Sequence, residues 1–275
     1  MAEPTYLDVA GSRLWFEVAG DGSPVVLLHG GWLDMRQWDD QFRALARDHR
    51  VVRYDARGYG RSPLGTAPYS HQEDLAALLR ALGIEQAQLV GLSNGAAIAV
   101  EFALFAPASV RSLVLGPAPM RGHDLGPEFM SGMRAVIVAG AAGDLDACLA
   151  AAWDFAPLRV AAGLPDARRR IDAMIRAHEF GYARPGAPKR SWLEPPVSAR
   201  FEEIVAPTLV VIGDGEMPAL VEQGEAMARR IPGAELALIE GAGHIVNVER
   251  PAEYLAIVSE WLRAHEKPLG PRSAL

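Results

Sequence analysis

The chain has 275 residues, enough for one large domain or for a core domain carrying an insertion. Half of it is hydrophobic and 22% is charged, an ordinary globular balance that excludes a disordered chain. The net charge of −7 argues against a phosphate-neutralising nucleic-acid surface, and the single cysteine, Cys148, cannot close an internal disulfide. No apolar stretch approaches the ~20 residues that cross a bilayer, and the acidic start MAEPTYLDVAG shows no signal-peptide pattern. The expectation is a cytoplasmic monomer or homodimer without nucleic-acid or membrane partners, acting on a small molecule. The basic runs Arg168-Arg169-Arg170 and Lys189-Arg190 have acidic or apolar neighbours and read as solvated faces.

Tyr6–Ala10 and Leu14–Val18 flank Gly11-Ser12 as a hairpin pair. Val25–Leu28 is a short continuous apolar run, and Val51–Tyr54 is another but for Arg53, the pattern of strands buried on both faces. Ser70–Leu82 has helical spacing, with Leu75, Leu78, Leu79 and Leu82 on one face and Gly83 as a stop. A strand at Gln88–Gly91, a helix at Ala96–Phe105 and a strand at Val110–Leu115 follow. From about Gly116 to Arg200 the strand signal disappears, and helical stretches near Pro127–Ala139, Asp144–Phe155 and Asp166–Phe180 take over. The alternation resumes with a strand at Thr208–Ile212, a helix at Ala219–Ile231, a strand at Glu235–Ile239 and a helix at Ala252–Ala264. Buried strands alternating with helices predict an α/β protein with a largely parallel, doubly wound sheet. The expected organisation is a core of residues 1–116 and 201–266, a helical insertion at 117–200 after the sixth strand, and a flexible tail at 267–275.

Gly91-Leu92-Ser93-Asn94-Gly95 lies between a strand and a helix, the context that gives a Gly-x-Ser-x-Gly segment chemical meaning. A sharp strand-to-helix turn forces the serine into a strained conformation, and only glycine-sized neighbours let the two arms approach. An activated serine needs a base, and the base needs a third group to hold its tautomer. Of the seven histidines, His49, His71, His178 and His265 sit in polar helical or terminal segments and read as surface residues. His123 lies in the insertion, where it could line a pocket, and His29 ends the third strand as a loop brace. His244, in Gly241-Ala242-Gly243-His244, follows the last core strand on the sheet edge that also carries Ser93, and is the candidate base. The segment Gly213-Asp214-Gly215-Glu216 ends the preceding strand at the same edge, so either Asp214 or Glu216 could orient it.

Four motifs together resemble the α/β-hydrolase superfamily: His29-Gly30-Gly31-Trp32, Asp55-Ala56-Arg57-Gly58-Tyr59-Gly60-Arg61-Ser62, the segment around Ser93, and Gly-Ala-Gly-His at 241–244. Within it the chain looks like the cap-bearing bacterial esterase, lactonase and haloperoxidase-like members. The resemblance implies an eight-stranded, mostly parallel sheet, a cap over the active site, and a Ser-His-acid mechanism that needs no cofactor or metal. Relatives carry Gly-x-x-Asp after the seventh strand, which places the acid at Glu216, with Asp214 as the alternative and an acid after strand six (Asp124 or Glu128) as a third. It also implies an oxyanion hole from the backbone N–H groups of Gly31 and Asn94, with Asp55 and Arg57 as loop braces.

The expected reaction is hydrolysis of a small, uncharged, fairly hydrophobic carboxylic ester or lactone through an acyl-enzyme. Trp32 and, from the apolar insertion, Met130, Trp153 and Trp192 are the candidate substrate contacts. Carbon–carbon hydrolysis, perhydrolysis and cyanohydrin cleavage use the same constellation. A small-molecule receptor with little turnover is the reading from outside enzymology.

Overall fold

The computed structural model describes residues 3–266; the expected tail at 267–275 lies outside them. Eight strands form one sheet: β1 Thr5–Val9, β2 Ser12–Ala19, β3 Ser23–Leu28, β4 His49–Tyr54, β5 Ala87–Gly91, β6 Val110–Leu115, β7 Thr208–Gly213 and β8 Glu235–Ile239. Their order is β1-β2-β4-β3-β5-β6-β7-β8, with β2 antiparallel to both β1 and β4 and every other pair parallel.

Strand side chains alternate between faces. Val25, Leu27, Val51, Val90 and Val211 join one hydrophobic layer, against helices α1 (Asp39–Leu45) and α10 (Pro251–Ala264). Val26, Leu28, Val52, Leu89 and Ile212 join the other, against α2 (His71–Ala81), α3 (Asn94–Phe105) and α8 (Pro218–Arg230). That is why these strands read as largely apolar runs: neither face meets water. Helix α1 has no counterpart in the sequence reading; it is seven residues long, too short for its pattern to stand out, yet Phe42 and the preceding Trp38 are fully buried.

Between β6 and β7 the chain forms α4 (Gly126–Ala141), α5 (Leu145–Asp154), α6 (Arg159–Ala162) and α7 (Pro165–Ala177) without parting the two strands, since Leu113 still pairs with Thr208. The third of these helical stretches was expected to run to Phe180 but stops at Ala177, and Phe180, with φ of 50°, is buried against Gly140 of α4. Among the described residues no helix is long and apolar enough to cross a membrane.

Strand β4 adds to one side of β3, while β5 adds to the other. The order therefore reverses between β3 and β5, where the loops leaving both strands diverge and open a crevice at their carboxyl ends. Leu28 pairs with Gly91 at that point, so the loops starting at His29 and Leu92 begin side by side.

Candidate active site

Ser93 joins β5 to α3 with φ 55° and ψ −122°, a conformation costly for any residue carrying a Cβ. The flanking glycines are required by contact: a Cβ on Gly91 would lie 2.5 Å from the Gly95 carbonyl oxygen, and one on Gly95 would be driven into the Leu28 carbonyl. We expect Gly95→Ala to lower stability by about 3 kcal/mol in urea unfolding, because the clash is with backbone rather than with a yielding side chain.

At the same edge His244 Nδ1 lies 2.5 Å from Glu216 Oε2, and the other Glu216 oxygen accepts from the Met217 N–H at 2.7 Å. The Gly213-Asp214-Gly215 turn packs against the His244 loop: the Asp214 N–H donates to Ile239 O and the Gly215 N–H to Ala242 O. Asp214 turns the other way and accepts the Gly241 N–H at 2.6 Å, clamping the two loops together. Asp124 accepts the Gly126 N–H at 2.8 Å and Glu128 is exposed beside Arg159, so of the four carboxylates considered only Glu216 meets the ring. Burial pulls the His244 pKa down, but the Glu216 charge and hydrogen bond, with a contribution from Glu249, outweigh it and leave the ring above its ordinary value. Sequence reasoning missed Glu249. It is buried behind the loop, accepts the Gly243 N–H, and is itself pushed up by that burial.

The β3 loop is equally constrained. His29 Nδ1 is 2.8 Å from the Gly30 carbonyl, while Nε2 accepts the Ala56 N–H at 3.0 Å; these partners assign the Nδ1–H tautomer and make His29 a brace. The Gly30 N–H donates to Gln37 Oε1 at 2.8 Å, and Gln37 Nε2 donates to Asn247 Oδ1 at 3.0 Å. This buried amide chain ties the β3 loop to α9 (Val246–Glu249), just beyond His244, and no local motif announces it. The next residue, Gly31, lies against Asn94: a Cβ there would be 4.0 Å from the Asn94 Cβ. Asp55 accepts the Met35 and Arg61 N–H groups and Arg57 forms a buried fork with Asp74, both bracing loops.

Ser93, Asn94, Gly31 and His244 all line one cavity of about 640 Å³ between the sheet edge and the inserted helices. Its apolar wall comes from Phe129, Met133 and Ile137 of α4, with Phe155, Leu158 and Ile175. Two of the four expected contacts, Trp32 and Trp192, line it as well. The other two are corrections. Met130 is 52% exposed, because the inward face of α4 repeats at Phe129, Met133 and Ile137 and leaves position 130 turned outward. Trp153 sits outside the cavity, with its indole N–H on Asp172 at 2.8 Å and Arg168 over its ring. His123 and the exposed face expected of Lys189-Arg190 also need revision: His123 is not in the lining, and the Arg190 side chain is only 11% exposed and lines the cavity. His49, His71 and His178 are buried rather than surface residues, and His71 reaches the cavity.

A family model described as "Alpha/beta hydrolase family" matches residues 25–257. A putative carbamate hydrolase, RutD, of Azorhizobium caulinodans is 40% identical over 105 residues, which cover 37% of this chain and 40% of that protein. Rhodomycin D methylesterase DauP of a Streptomyces species is 30% identical over 84% of this chain and 88% of its own length. The solved enol-lactonase of Burkholderia xenovorans LB400 superposes with a TM-score of 0.78 at 25% identity, covering 94% of this chain and all of that one.

Proposed function

Because this chain belongs to the alpha/beta hydrolase family and is a hydrolase, we propose that it cleaves a small carboxylic ester or lactone through a Ser93–His244–Glu216 triad and an acyl-enzyme. The observation that carries this reading is the 2.5 Å contact of His244 with Glu216, on a ring that shares its cavity with the strained Ser93. Relatives named as a methylesterase and an enol-lactonase act on a carbonyl with an oxygen leaving group, which agrees with it.

Glu216 accepts Nδ1–H, leaving Nε2 of neutral His244 to take the Ser93 proton as Oγ attacks the carbonyl. The imidazolium that forms is stabilised by Glu216. Charge on the carbonyl oxygen is met by the Gly31 and Asn94 N–H groups, the latter at the first turn of α3, where the helix favours a negative charge. The Gly30 N–H, held by Gln37, is not free for this task. His244 then protonates the leaving alcohol and activates the water that releases the acid. The inserted helices serve as the cap, and their apolar wall takes the substrate's hydrophobic part.

A fluorophosphonate probe should label wild-type protein at Ser93 with one equivalent, read by mass spectrometry, and short p-nitrophenyl esters should be turned over. Folded protein that is neither labelled nor active would shift the reading to a small-molecule receptor.

A further inference from the structure

Among the described residues that line the cavity, the charged side chains are Lys189 and Arg190, and no carboxylate joins them. They lie together on a strand-like stretch that returns from the insertion to the core: the Tyr69 N–H donates to Lys189 O, the Ser191 N–H to Tyr69 O, and Tyr69 bridges Arg190 in parallel. The Arg190 guanidinium stacks 3.6 Å from the Trp192 ring centroid and donates through Nη2 to Glu101 Oε2 at 3.0 Å. Its remaining contact, Nη1 to Asn94 Oδ1, is long at 3.4 Å, so the fork is only partly engaged. Lys189 has no carboxylate within ion-pair distance among the described residues and is exposed at the mouth. Two cations against one buried carboxylate, Glu101, leave this corner with one net positive charge.

Resting on the reading of Ser93 as nucleophile, we propose that this corner is an anion subsite and that the substrate is an ester or lactone carrying a carboxylate a few bonds from the scissile carbonyl. Arg190 touches Asn94, the residue next to Ser93, so an anion held there sits close to the acyl carbon. A guanidinium almost enclosed by protein, as Arg190 is with 11% of its side chain exposed, is attracted to a carboxylate far more than it would be in open water. The same charge, after burial, helps hold the His71 imidazole well below its ordinary value, so the ring is neutral and adds no competing titration at this end. The apolar wall of α4 and its neighbours remains for the rest of the molecule. The expected uncharged substrate thus gives way to an amphipathic one, and hydrolysis with one water yields an alcohol and a dicarboxylate from a half-ester.

The test compares mono-(p-nitrophenyl) glutarate with neutral p-nitrophenyl pentanoate in kcat/KM at low and at physiological salt. Wild type should favour the anionic ester at least about tenfold, and the preference should shrink with salt. In Arg190→Met/Glu101→Gln, which removes the buried pair together and leaves Lys189 as the remaining cation of the corner, the ratio should fall at least about threefold because the guanidinium fork beside Asn94 is gone. Lys189→Glu, at an exposed position that leaves folding unaffected, should cut the ratio at least fivefold, and this holds the test open if the double variant does not fold. A wild type that hydrolyses the neutral ester without preferring the anion, or a Lys189→Glu ratio equal to wild type, would overturn the subsite while leaving the hydrolase intact. Absence of turnover with both esters would overturn the two together.

Discussion

Ser93→Ala is expected to lose at least about 10⁴-fold in kcat on p-nitrophenyl esters while unfolding within about 0.5 kcal/mol of wild type. The two halves of that expectation have different causes. Turnover collapses because the acyl acceptor is gone, and only carbonyl polarisation by Gly31 and Asn94 is left to assist water. Stability hardly moves because alanine keeps the Cβ, and the Cβ is what makes φ 55° and ψ −122° unfavourable. Ser93→Gly separates the two. It should be equally inactive yet more stable by about 1 kcal/mol in urea, since relief of strain exceeds the extra chain entropy that glycine loses on folding. Such a pair would show that folding energy is stored at the nucleophile. Retention of more than a hundredth of wild-type turnover in Ser93→Ala would remove Ser93 from the mechanism.

How far a sequence discloses such a site depends on whether the determining contacts are local. The parallel strands were legible because burial on both faces produces runs such as Val25–Leu28, and the nucleophile turn because Gly91 and Gly95 lie within two residues of Ser93. Asp214 and Glu216 share one glycine-rich turn, and spacing alone leaves both open. What parts them is the Gly241 N–H, a group 27 positions away that engages Asp214. Arg190 was misread for the same reason. Beside Lys189 it resembles a solvated run, but its partners Asn94 and Glu101 are 96 and 89 residues away on α3. In the insertion, composition marked the apolar residues without telling which way each faces. Met130 and Met133 are chemically alike, and only the packing of α4 turns one outward and the other into the cavity.

Glu216→Gln should reduce kcat/KM by about 10³–10⁴-fold, whereas Asp214→Ala should stay within about threefold of wild type. Glutamine keeps one acceptor oxygen where Glu216 uses two, for His244 Nδ1–H and the Met217 N–H, so the variant removes the charge that stabilises the imidazolium together with one of these hydrogen bonds. The pH profile supplies an independent sign. His244 works as a base only when neutral, so the acid limb of kcat/KM follows its pKa in the free enzyme. Burial alone would carry that pKa below 6.5; the adjacent Glu216 carboxylate, with Glu249 adding to it, carries it above. Wild type should therefore lose activity as pH falls through a value higher than 6.5. In Glu216→Gln the raising influence is largely removed while the desolvation stays, and the limb should move to lower pH even as the plateau falls. A residue that merely held the loop in shape would lower the plateau and leave the limb where it was. An unmoved limb in Glu216→Gln, or a collapse in Asp214→Ala, would reassign the acid.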